Sequence, residues 1–215
     1  MPEVQADSAE TRRLLERGRA GDLAAFDELF KRHRTFVRKV IDLRLDDRLR
    51  ARIDASDVVQ EAFVDAVSRL EEYLRDPKFP LFLWLRLIVG DRLMKLHRHH
   101  LGTQMRDAGL EVSLYRGAFP AASSAALAAQ LLGRHTSPTQ AATRAERTLR
   151  LQEALNSLDA LDREVLSLRH FEELSLQETS QVLDITESAA AKGYIRALKR
   201  LKDILAALTG GLEGI

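Results

Sequence analysis

The stretch Ser175-Leu176-Gln177-Glu178 gives the clearest structural signal in this chain. A serine at a helix start and a glutamate three residues later form a capping box, in which each side chain accepts a hydrogen bond from the other residue's backbone N–H. The box predicts a short helix over Leu176–Leu183, followed by a turn at Asp184-Ile185-Thr186. Thr186 can cap a second helix, so the pattern predicts a helix-turn-helix.

The second helix of this pair is basic along its length. Between residues 192 and 202 it carries five cationic side chains and no acidic one, namely Lys192, Arg196, Lys199, Arg200 and Lys202. Apolar side chains recur at helical spacing and predict the stripe that faces the core, namely Ile195, Leu198, Leu201 and Leu205. A basic helix supported by a packed first helix is the arrangement that enters a DNA major groove, so the sequence predicts nucleic-acid binding.

Composition excludes several other classes of protein. The chain has 215 residues and no cysteine, so disulfides and thiolate metal sites are ruled out. Its longest apolar run, residues 81–90, is interrupted by Arg86 and is too short to cross a bilayer. The N-terminus carries acidic residues and two arginines and does not resemble a signal peptide. We expect a cytoplasmic protein that does not insert into membranes.

The net charge of +1 combines blocks of opposite sign. Residues 54–72 hold six acidic side chains and one basic side chain, which gives a local charge of −5. Residues 86–106 hold five basic side chains and one acidic side chain, which gives a local charge of +4. Such segregation indicates one surface for DNA and a second surface for a basic or polar partner.

Helical periodicity runs through most of the chain. Apolar residues at 3–4 spacing predict helices over residues 26–41 and 81–100. A further predicted helix, capped by Asp54 or Ser56, has a broad apolar face, which consists of Val58, Val59, Ala62, Phe63, Ala66, Val67 and Leu70. The segment Asp76-Pro77-Lys78-Phe79-Pro80 predicts a break, because proline interrupts helices and constrains the residue before it.

Composition changes after Arg116. Residues 117–143 hold a single formal charge, Arg134, among alanine, serine, threonine, glycine and two prolines. This composition is typical of a linker, although a short helix over Ala125–Leu132 is compatible with it.

The sequence therefore predicts an all-α fold of two small helical domains joined by a flexible linker. The N-terminal domain is expected over residues 19–101 and the linker over residues 102–147. The C-terminal domain, which contains the helix-turn-helix, is expected over residues 148–208.

The order of these features resembles bacterial RNA polymerase sigma factors of the extracytoplasmic-function (ECF) type, a two-domain form within the sigma-70 superfamily. The helix with Asp57-Val58-Val59-Gln60-Glu61-Ala62-Phe63 precedes the proline break and Phe79. Leu83-Trp84-Leu85-Arg86-Leu87-Ile88, a basic stretch, the linker and the helix-turn-helix follow in that order. The resemblance covers residues 19–208. It implies a non-enzymatic protein that binds core RNA polymerase, directs it to specific promoters and supports promoter opening.

The resemblance places the polymerase-binding surface on the acidic helix, which in this family docks onto the clamp helices of the largest polymerase subunit. The residues implied are Asp57, Val58, Gln60 and Glu61. The local charge of −5 fits this role, because an acidic face can steer towards a basic partner. Taken alone, the same face is also typical of a solvated helix surface.

The segment from Phe79 to Arg98 corresponds to the part of the family that reads and opens the minus-ten promoter element. The candidate DNA-binding residues are Trp84, Arg86, Asp91, Arg92, Lys95 and Arg98. The cationic members suit phosphate contacts, and Trp84 suits either a platform for an unstacked base or a core position. Asp91 lies where the family commonly has asparagine, and a carboxylate can only accept hydrogen bonds, for instance from a cytosine amino group.

The resemblance also implies that the basic helix, Glu187 to about Leu205, reads the minus-thirty-five element. The candidate residues are Glu187, Ser188, Lys192, Arg196, Lys199 and Arg200. Lys192 and Arg196 suit major-groove or phosphate contacts, and the other cations suit the DNA backbone. Ala191 and Gly193 lie where relatives often carry polar or basic side chains, and glycine costs about 1 kcal/mol of helix propensity. We therefore expect weak or altered recognition of this element.

The implied partners are core RNA polymerase and promoter DNA, and an anti-sigma factor remains open as a third. We expect a monomer when the protein is bound to polymerase. Two other functions remain open on the sequence alone. One is a helix-turn-helix transcriptional regulator that acts without polymerase, usually as a dimer on two half-sites. The other is a sigma-like adaptor that sequesters polymerase.

Metal and catalytic chemistry find little support in the sequence. His97, His99 and His100 invite a metal site, but no cysteine or well-placed carboxylate completes one, so we predict no metal. The sequence contains no phosphate-binding glycine loop, paired catalytic carboxylates or nucleophile–histidine arrangement. We therefore expect neither enzymatic activity nor a cofactor.

Overall fold

A computed structural model of the protein describes residues 8–101, 113–114, 117–118, 120–132 and 141–210. The chain forms two compact units, which divide between Asp107 and Ala108. Helices dominate the described residues, and the described strands are a two-residue antiparallel pair of β1 (Ser113–Leu114) and β2 (Gly117–Ala118). The all-α prediction is confirmed.

The N-terminal unit is built from helices that pack around α2. Its helices are α1 (Ala9–Arg19), α2 (Leu23–Arg44), α3 (Asp47–Arg50), α4 (Ala55–Arg75) and α5 (Leu81–Leu101). Helix α2 packs against α1, α4 and α5, and α4 packs against α5. The three longest are helices that the periodicity predicts, and the structure extends each of them slightly.

Local capping and the proline break fix the ends of α4. The Asp54 carboxylate accepts a hydrogen bond from the Ser56 N–H at 2.7 Å, so Asp54 is the cap. At the other end the chain leaves the helix at Asp76, and the Tyr73 hydroxyl donates to the Phe79 carbonyl at 3.1 Å. One member of the predicted apolar face is wrong, because Val67 lies on the exposed side of α4.

The C-terminal unit contains the helix-turn-helix. Its helices are α6 (Ser124–Leu131), α7 (Ala141–Asn156), α8 (Ala160–Leu166), α9 (Leu176–Leu183) and α10 (Glu187–Gly210), with a π-helical turn, Ser167–Phe171, after α8. Helix α10 packs against α7, α8 and α9. Helix α6 lies in the predicted linker, where it buries Leu127 and Ala128 and packs against α7. The rest of that linker up to α7 lies outside the described residues, apart from β1, β2 and residues 120–123 and 132.

The predicted capping of the helix-turn-helix is confirmed. The Ser175 hydroxyl accepts from the Glu178 N–H at 3.1 Å, and the Glu178 carboxylate accepts from the Ser175 N–H at 2.6 Å. Asp184 ends α9 in the left-handed region, at φ +51°, and this conformation turns the chain sharply. The Thr186 hydroxyl then accepts from the Ala189 N–H at 3.1 Å and caps α10.

The buried face of α10 differs from the predicted stripe. Its buried residues are Ala190, Gly193, Ala197 and Leu201, which recur at helical spacing. Ile195, with 65% of its surface exposed, and Leu198 lie outside the core, so the predicted stripe is wrong at these two positions. Small residues let α10 approach its neighbours closely, and hydropathy alone does not detect a stripe of alanine and glycine.

Candidate functional site

The exposed face of α10 is a polar and cationic stripe. Ser188, Lys192, Ile195 and Lys199 are all exposed. At 3.6 residues per turn they form a single stripe on the side of the helix opposite the buried residues. All six residues predicted for the minus-thirty-five element are exposed, namely Glu187, Ser188, Lys192, Arg196, Lys199 and Arg200.

Arg196 differs from the lysines because its guanidinium is bound within the protein. Its Nε and Nη2 donate to the two carboxylate oxygens of Asp162, on α8, at 2.8 Å and 2.6 Å. The Asp162 side chain is only 6% exposed, whereas the Arg196 side chain is 59% exposed. This bidentate hydrogen bond raises the pKa of Arg196 and fixes the direction of its side chain.

Gly193 allows this arrangement to form. A Cβ atom at position 193 would lie 2.9 Å from Oδ1 of Asp162, closer than real Cβ contacts allow. The glycine that costs helix propensity therefore makes room for a carboxylate between α8 and α10. Sequence reasoning missed Asp162, because nothing in its own helix indicates that it faces position 193.

A second contact holds the same helix from the π-helical turn. The guanidinium of Arg169 lies 5.5 Å from the ring centroid of Tyr194, within the range of a cation–π interaction. Arg169 also donates a hydrogen bond to the Leu174 carbonyl, just before the capping box. The start of the helix-turn-helix and α10 are thereby linked through one side chain.

The residues predicted for the minus-ten element fall into different environments on α5. Arg86 is 1% exposed, so the expectation that it contacts phosphate is wrong for this fold. Trp84 is half-buried, and its ring stacks on Tyr73 with a centroid distance of 4.5 Å. Lys95 and Arg98 are exposed towards the end of the helix. Leucines and isoleucine surround Arg86 in sequence, and that pattern was a signal of burial.

Two of these residues are bound by side chains of α4. The guanidinium of Arg92 lies 3.1 Å from Asp65 and 3.5 Å from Glu61, and Lys95 lies 4.0 Å from the same aspartate. The opposite charge blocks of the sequence thus partly neutralise each other across the α4–α5 contact.

Asp91 is also paired rather than isolated. Its carboxylate accepts a hydrogen bond from Nη1 of Arg69 at 2.7 Å. Arg69, the one basic residue of the acidic block, therefore offsets the negative charge of Asp91.

The three histidines near the end of α5 do not share one environment. His97 is buried, and its Nε2 accepts from the Asp46 backbone N–H at 3.4 Å. Burial lowers the pKa of His97. His99 and His100 are exposed, with ring centroids 4.7 Å apart. Within the described residues, no three histidines or carboxylates are gathered as metal ligands would be.

The predicted polymerase-binding surface is largely exposed. Asp57, Gln60 and Glu61 lie on the solvent side of α4, whereas Val58 is buried in the core, so its assignment to this surface is wrong. Val64, 67% exposed, and Val67 continue this side of the helix. The surface therefore combines carboxylates with an apolar pair that the periodicity had placed partly in the core.

Comparison with known proteins decides the family. A family model described as sigma-70, region 4 matches residues 148–201. The ECF RNA polymerase sigma factors SigD of Mycobacterium tuberculosis and Mycobacterium bovis are 30% identical to this chain over 188 residues, which are 87% of this chain and 80% of each relative. The chain belongs to the ECF RNA polymerase sigma factors.

A solved structure supports the fold of this sigma factor. The structure of CnrH, in complex with the cytosolic domain of CnrY, matches with a TM-score of 0.55 and 23% sequence identity. The match covers 93% of this chain and 99% of the CnrH chain. The region 4 match begins in α7 and ends within α10, so it contains α9, the turn and the first part of α10 of the sigma factor.

The family gives the sigma factor a role in transcription initiation and its regulation, with the helix-turn-helix as a DNA-binding element. Sigma factors are typically non-enzymatic regulators. Among its described helices, none is both long enough and apolar enough to span a bilayer.

Proposed function

We propose that this sigma factor binds core RNA polymerase through α4, contacts promoter DNA through α5 and α10, and supports promoter opening. The observation that carries the proposal is the stripe of α10 that contains Lys192 and Lys199. This stripe is exposed along two helical turns of α10, and the capped helix α9 supports α10. A basic helix presented in this way suits the major groove of duplex DNA.

The stripe of α10 can supply both kinds of DNA contact. Lys192 and Lys199 are suited to phosphates, which position a protein on DNA without reading its sequence. Ile195 lies between these two lysines, and Ser188 lies one turn before Lys192. The serine hydroxyl can meet base edges, and the isoleucine side chain can meet a thymine methyl group. The minus-thirty-five element is the duplex we assign to this surface.

The end of α5 supports the assignment of the minus-ten element. Lys95 and Arg98 are exposed on neighbouring turns and can hold the backbone of a single strand. Trp84 offers a half-buried ring that is already stacked on Tyr73, so it is a fixed surface for an unstacked base. Arg92 is already paired with Asp65, so a contact between Arg92 and DNA would share the guanidinium with that carboxylate.

Polymerase binding is assigned to the exposed side of α4. Asp57, Gln60 and Glu61 supply charge and hydrogen-bonding groups, and Val64 and Val67 supply apolar area that a partner would cover. Carboxylates around an apolar centre are suited to a basic partner helix with an apolar ridge.

We include an anti-sigma factor among the partners of this sigma factor. The solved relative CnrH is bound to the cytosolic domain of CnrY, and a partner that covers α4 or α10 would prevent the contacts proposed above. Affinity purification of the tagged chain from its own cells, followed by mass spectrometry, tests this part. Recovery of polymerase subunits alone, under conditions where the sigma factor is inactive, would contradict it.

A reconstitution assay tests the central proposal. Purified protein is added to sigma-free core polymerase and fragmented genomic DNA, and the 5′ ends of the transcripts are mapped. We expect discrete start sites that depend on the protein and share upstream sequence blocks. Tight core binding without transcripts would indicate a sequestering adaptor, and duplex binding without core enzyme would indicate an ordinary helix-turn-helix regulator.

Matched variants separate the two surfaces. Asp57→Lys should weaken core binding by about tenfold, because it places a cation in the acidic face. Asp27→Lys makes the same charge change at an exposed position of α2 and should leave core binding unchanged. Lys199→Ala should leave core binding intact and reduce the salt dependence of promoter binding by about 0.9 in log–log slope.

A further inference from the structure

The contact between α8 and α10 suggests a role for residues that do not face DNA. Asp162 is nearly fully buried, and both of its carboxylate oxygens accept hydrogen bonds from Arg196. A Cβ atom at position 193 would lie 2.9 Å from Oδ1 of this carboxylate and 3.8 Å from Nη2 of Arg196. The carboxylate is therefore bound by the guanidinium of Arg196 and occupies space that a side chain at position 193 would need, and both positions are on α10.

This geometry restricts how α10 can move. A rotation of α10 about its axis that brings another position opposite Asp162 would place a Cβ atom against Oδ1, and the carboxylate would have to move from its hydrogen bonds with Arg196. A shift of α10 away from α8 would break the bidentate hydrogen bond and leave a buried carboxylate without its partner. Both displacements are opposed by the same pair of contacts.

The lysine stripe lies opposite the buried face of α10, so a rotation of the helix moves the stripe by the same angle. We propose that Asp162 and Gly193 are positioning residues of the reading helix. They set the rotation of α10 about its axis and its distance from α8, and the hydrogen bonds between Arg196 and Asp162 hold that side of α10 in place. Ser188, Lys192 and Lys199 then meet duplex DNA in one register. The inference rests on the proposed function, because it requires α10 to read a promoter.

Arginine and glycine are both required for this role. A lysine at position 196 keeps the charge but offers no planar fork, so it does not reproduce two parallel hydrogen bonds. Alanine at position 193 favours the helix by propensity, yet its Cβ atom would displace the carboxylate. The two substitutions therefore distinguish positioning from charge and from helix stability.

The first test compares two affinities, and their ratio stays unchanged if only charge matters but falls if Asp162 positions α10. Holoenzyme made with Asp162→Asn is compared with wild type on a mapped promoter fragment and on the same fragment with its minus-thirty-five block scrambled. Removing a negative charge from a DNA-binding domain should strengthen binding to both fragments equally if charge alone matters. Positioning predicts instead that the ratio of the two affinities falls by about tenfold.

Asp203→Asn is the matched control. It removes the same charge from an exposed position of α10, far in sequence from Gly193. We expect the ratio of affinities to stay at the wild-type value for this variant. A partly unfolded Asp162→Asn variant would lose binding to both fragments in proportion, so a change in the ratio does not arise from loss of folded protein.

The second test is a double-mutant cycle that does not depend on DNA. Gly193→Ala should lower the melting temperature of the full chain when Asp162 is present, because the new Cβ atom collides with Oδ1. In an Asp162→Ala background the same substitution should leave the melting temperature unchanged or raise it. Coupling of this kind isolates the contact between the two residues.

Two results would overturn the inference. One is an unchanged ratio of affinities for Asp162→Asn. The other is an additive cycle, in which Gly193→Ala has the same effect with and without Asp162. A wild-type holoenzyme that does not prefer the mapped promoter over the scrambled fragment is a different result, because it overturns the proposed function while the cycle still tests the contact.

Discussion

Arg92 in the N-terminal unit and Arg196 in the C-terminal unit were both predicted to contact DNA, and both bind a carboxylate on a packed neighbouring helix. Arg92 shares Asp65 with Lys95 and also reaches Glu61, so its network has several members. Arg196 and Asp162 instead form a single bidentate pair. In both units a basic residue that we propose for DNA binding also binds its helix to a neighbouring helix.

The two carboxylates differ in burial, and this difference determines what each pair contributes. The side chain of Asp65 is 20% exposed and lies near two cations, whereas that of Asp162 is 6% exposed. Loss of one cation leaves Asp65 solvated and still partnered, but it leaves Asp162 desolvated. We therefore expect the C-terminal unit to depend more strongly on its arginine.

The largest expected difference between the units is their response to acid. In the N-terminal unit, burial and the nearby charge of Arg32 lower the pKa of His33 from 6.5 to about 4. The unfolded chain then binds a proton that the folded unit does not, so stability present above pH 6.5 is lost as the pH falls towards 4. The loss should reach up to about 3 kcal/mol, since one pKa unit corresponds to about 1.4 kcal/mol.

Urea unfolding followed by the fluorescence of Trp84 measures this loss, because the chain has one tryptophan and it lies in the N-terminal unit. His33→Gln is the control, and its free energy of unfolding should fall less than that of wild type between pH 7 and pH 4.5. Equal losses in the two proteins would show that His33 does not cause the acid sensitivity.

Arg196→Ala should give the next largest effect. It leaves the Asp162 carboxylate, whose side chain is 6% exposed, without its cation, so we expect a larger loss of stability than for Arg92→Ala. Hydrogen exchange of peptides from α8 and α10 locates the loss in the C-terminal unit. Adding Asp162→Ala should restore part of the protection; a further loss would mean that the pair is not the cause.

Arg92→Ala should cost about 1 kcal/mol, because Lys95 remains beside Asp65, whose side chain is 20% exposed. The free energy of unfolding is measured by Trp84 fluorescence, as for the histidine variant. The sharper test is which of the two arginine variants loses more free energy of unfolding. A larger loss for Arg92→Ala than for Arg196→Ala would reverse the comparison between the units.

The smallest expected effect concerns the exposed apolar residue of α10. Ile195→Ala should change the free energy of unfolding by less than about 0.5 kcal/mol, because the side chain is mainly in solvent. Leu201→Ala, on the buried face of the same helix, should cost about 2–4 kcal/mol. Similar losses at the two positions would place both in a core and would contradict the buried face described above.

Much of the fold was predictable because its signals are local. The capping box at Ser175, the cap at Asp54 and the proline break before Leu81 each act within a few residues, and the structure has all three. Periodicity placed the long helices for the same reason. Periodicity failed on α10, where Ala190 and Gly193 are buried and Ile195 is left exposed. Close packing between helices selects small residues rather than large apolar ones.

The candidate site was predictable by residue type but not by environment. Lys192 and Lys199 are exposed, as a cationic helix requires. Arg86 and Val58 were assigned to surfaces and are buried, because the face that a residue occupies depends on the neighbouring helices. The pairing of Asp91 with Arg69 joins residues 22 apart in sequence and could not be read from either helix alone.

The sequence by itself determined the long helices α2, α4 and α5, the caps at Ser175 and Thr186, the helix-turn-helix and the resemblance to the family, because capping, proline geometry and motif order are encoded in neighbouring residues. Only the tertiary structure decided which charges face solvent. Opposite charges brought together by helix packing pair with each other once water is partly excluded, and Asp162 could be assigned to Arg196, 34 residues away, only after α8 and α10 had been placed side by side.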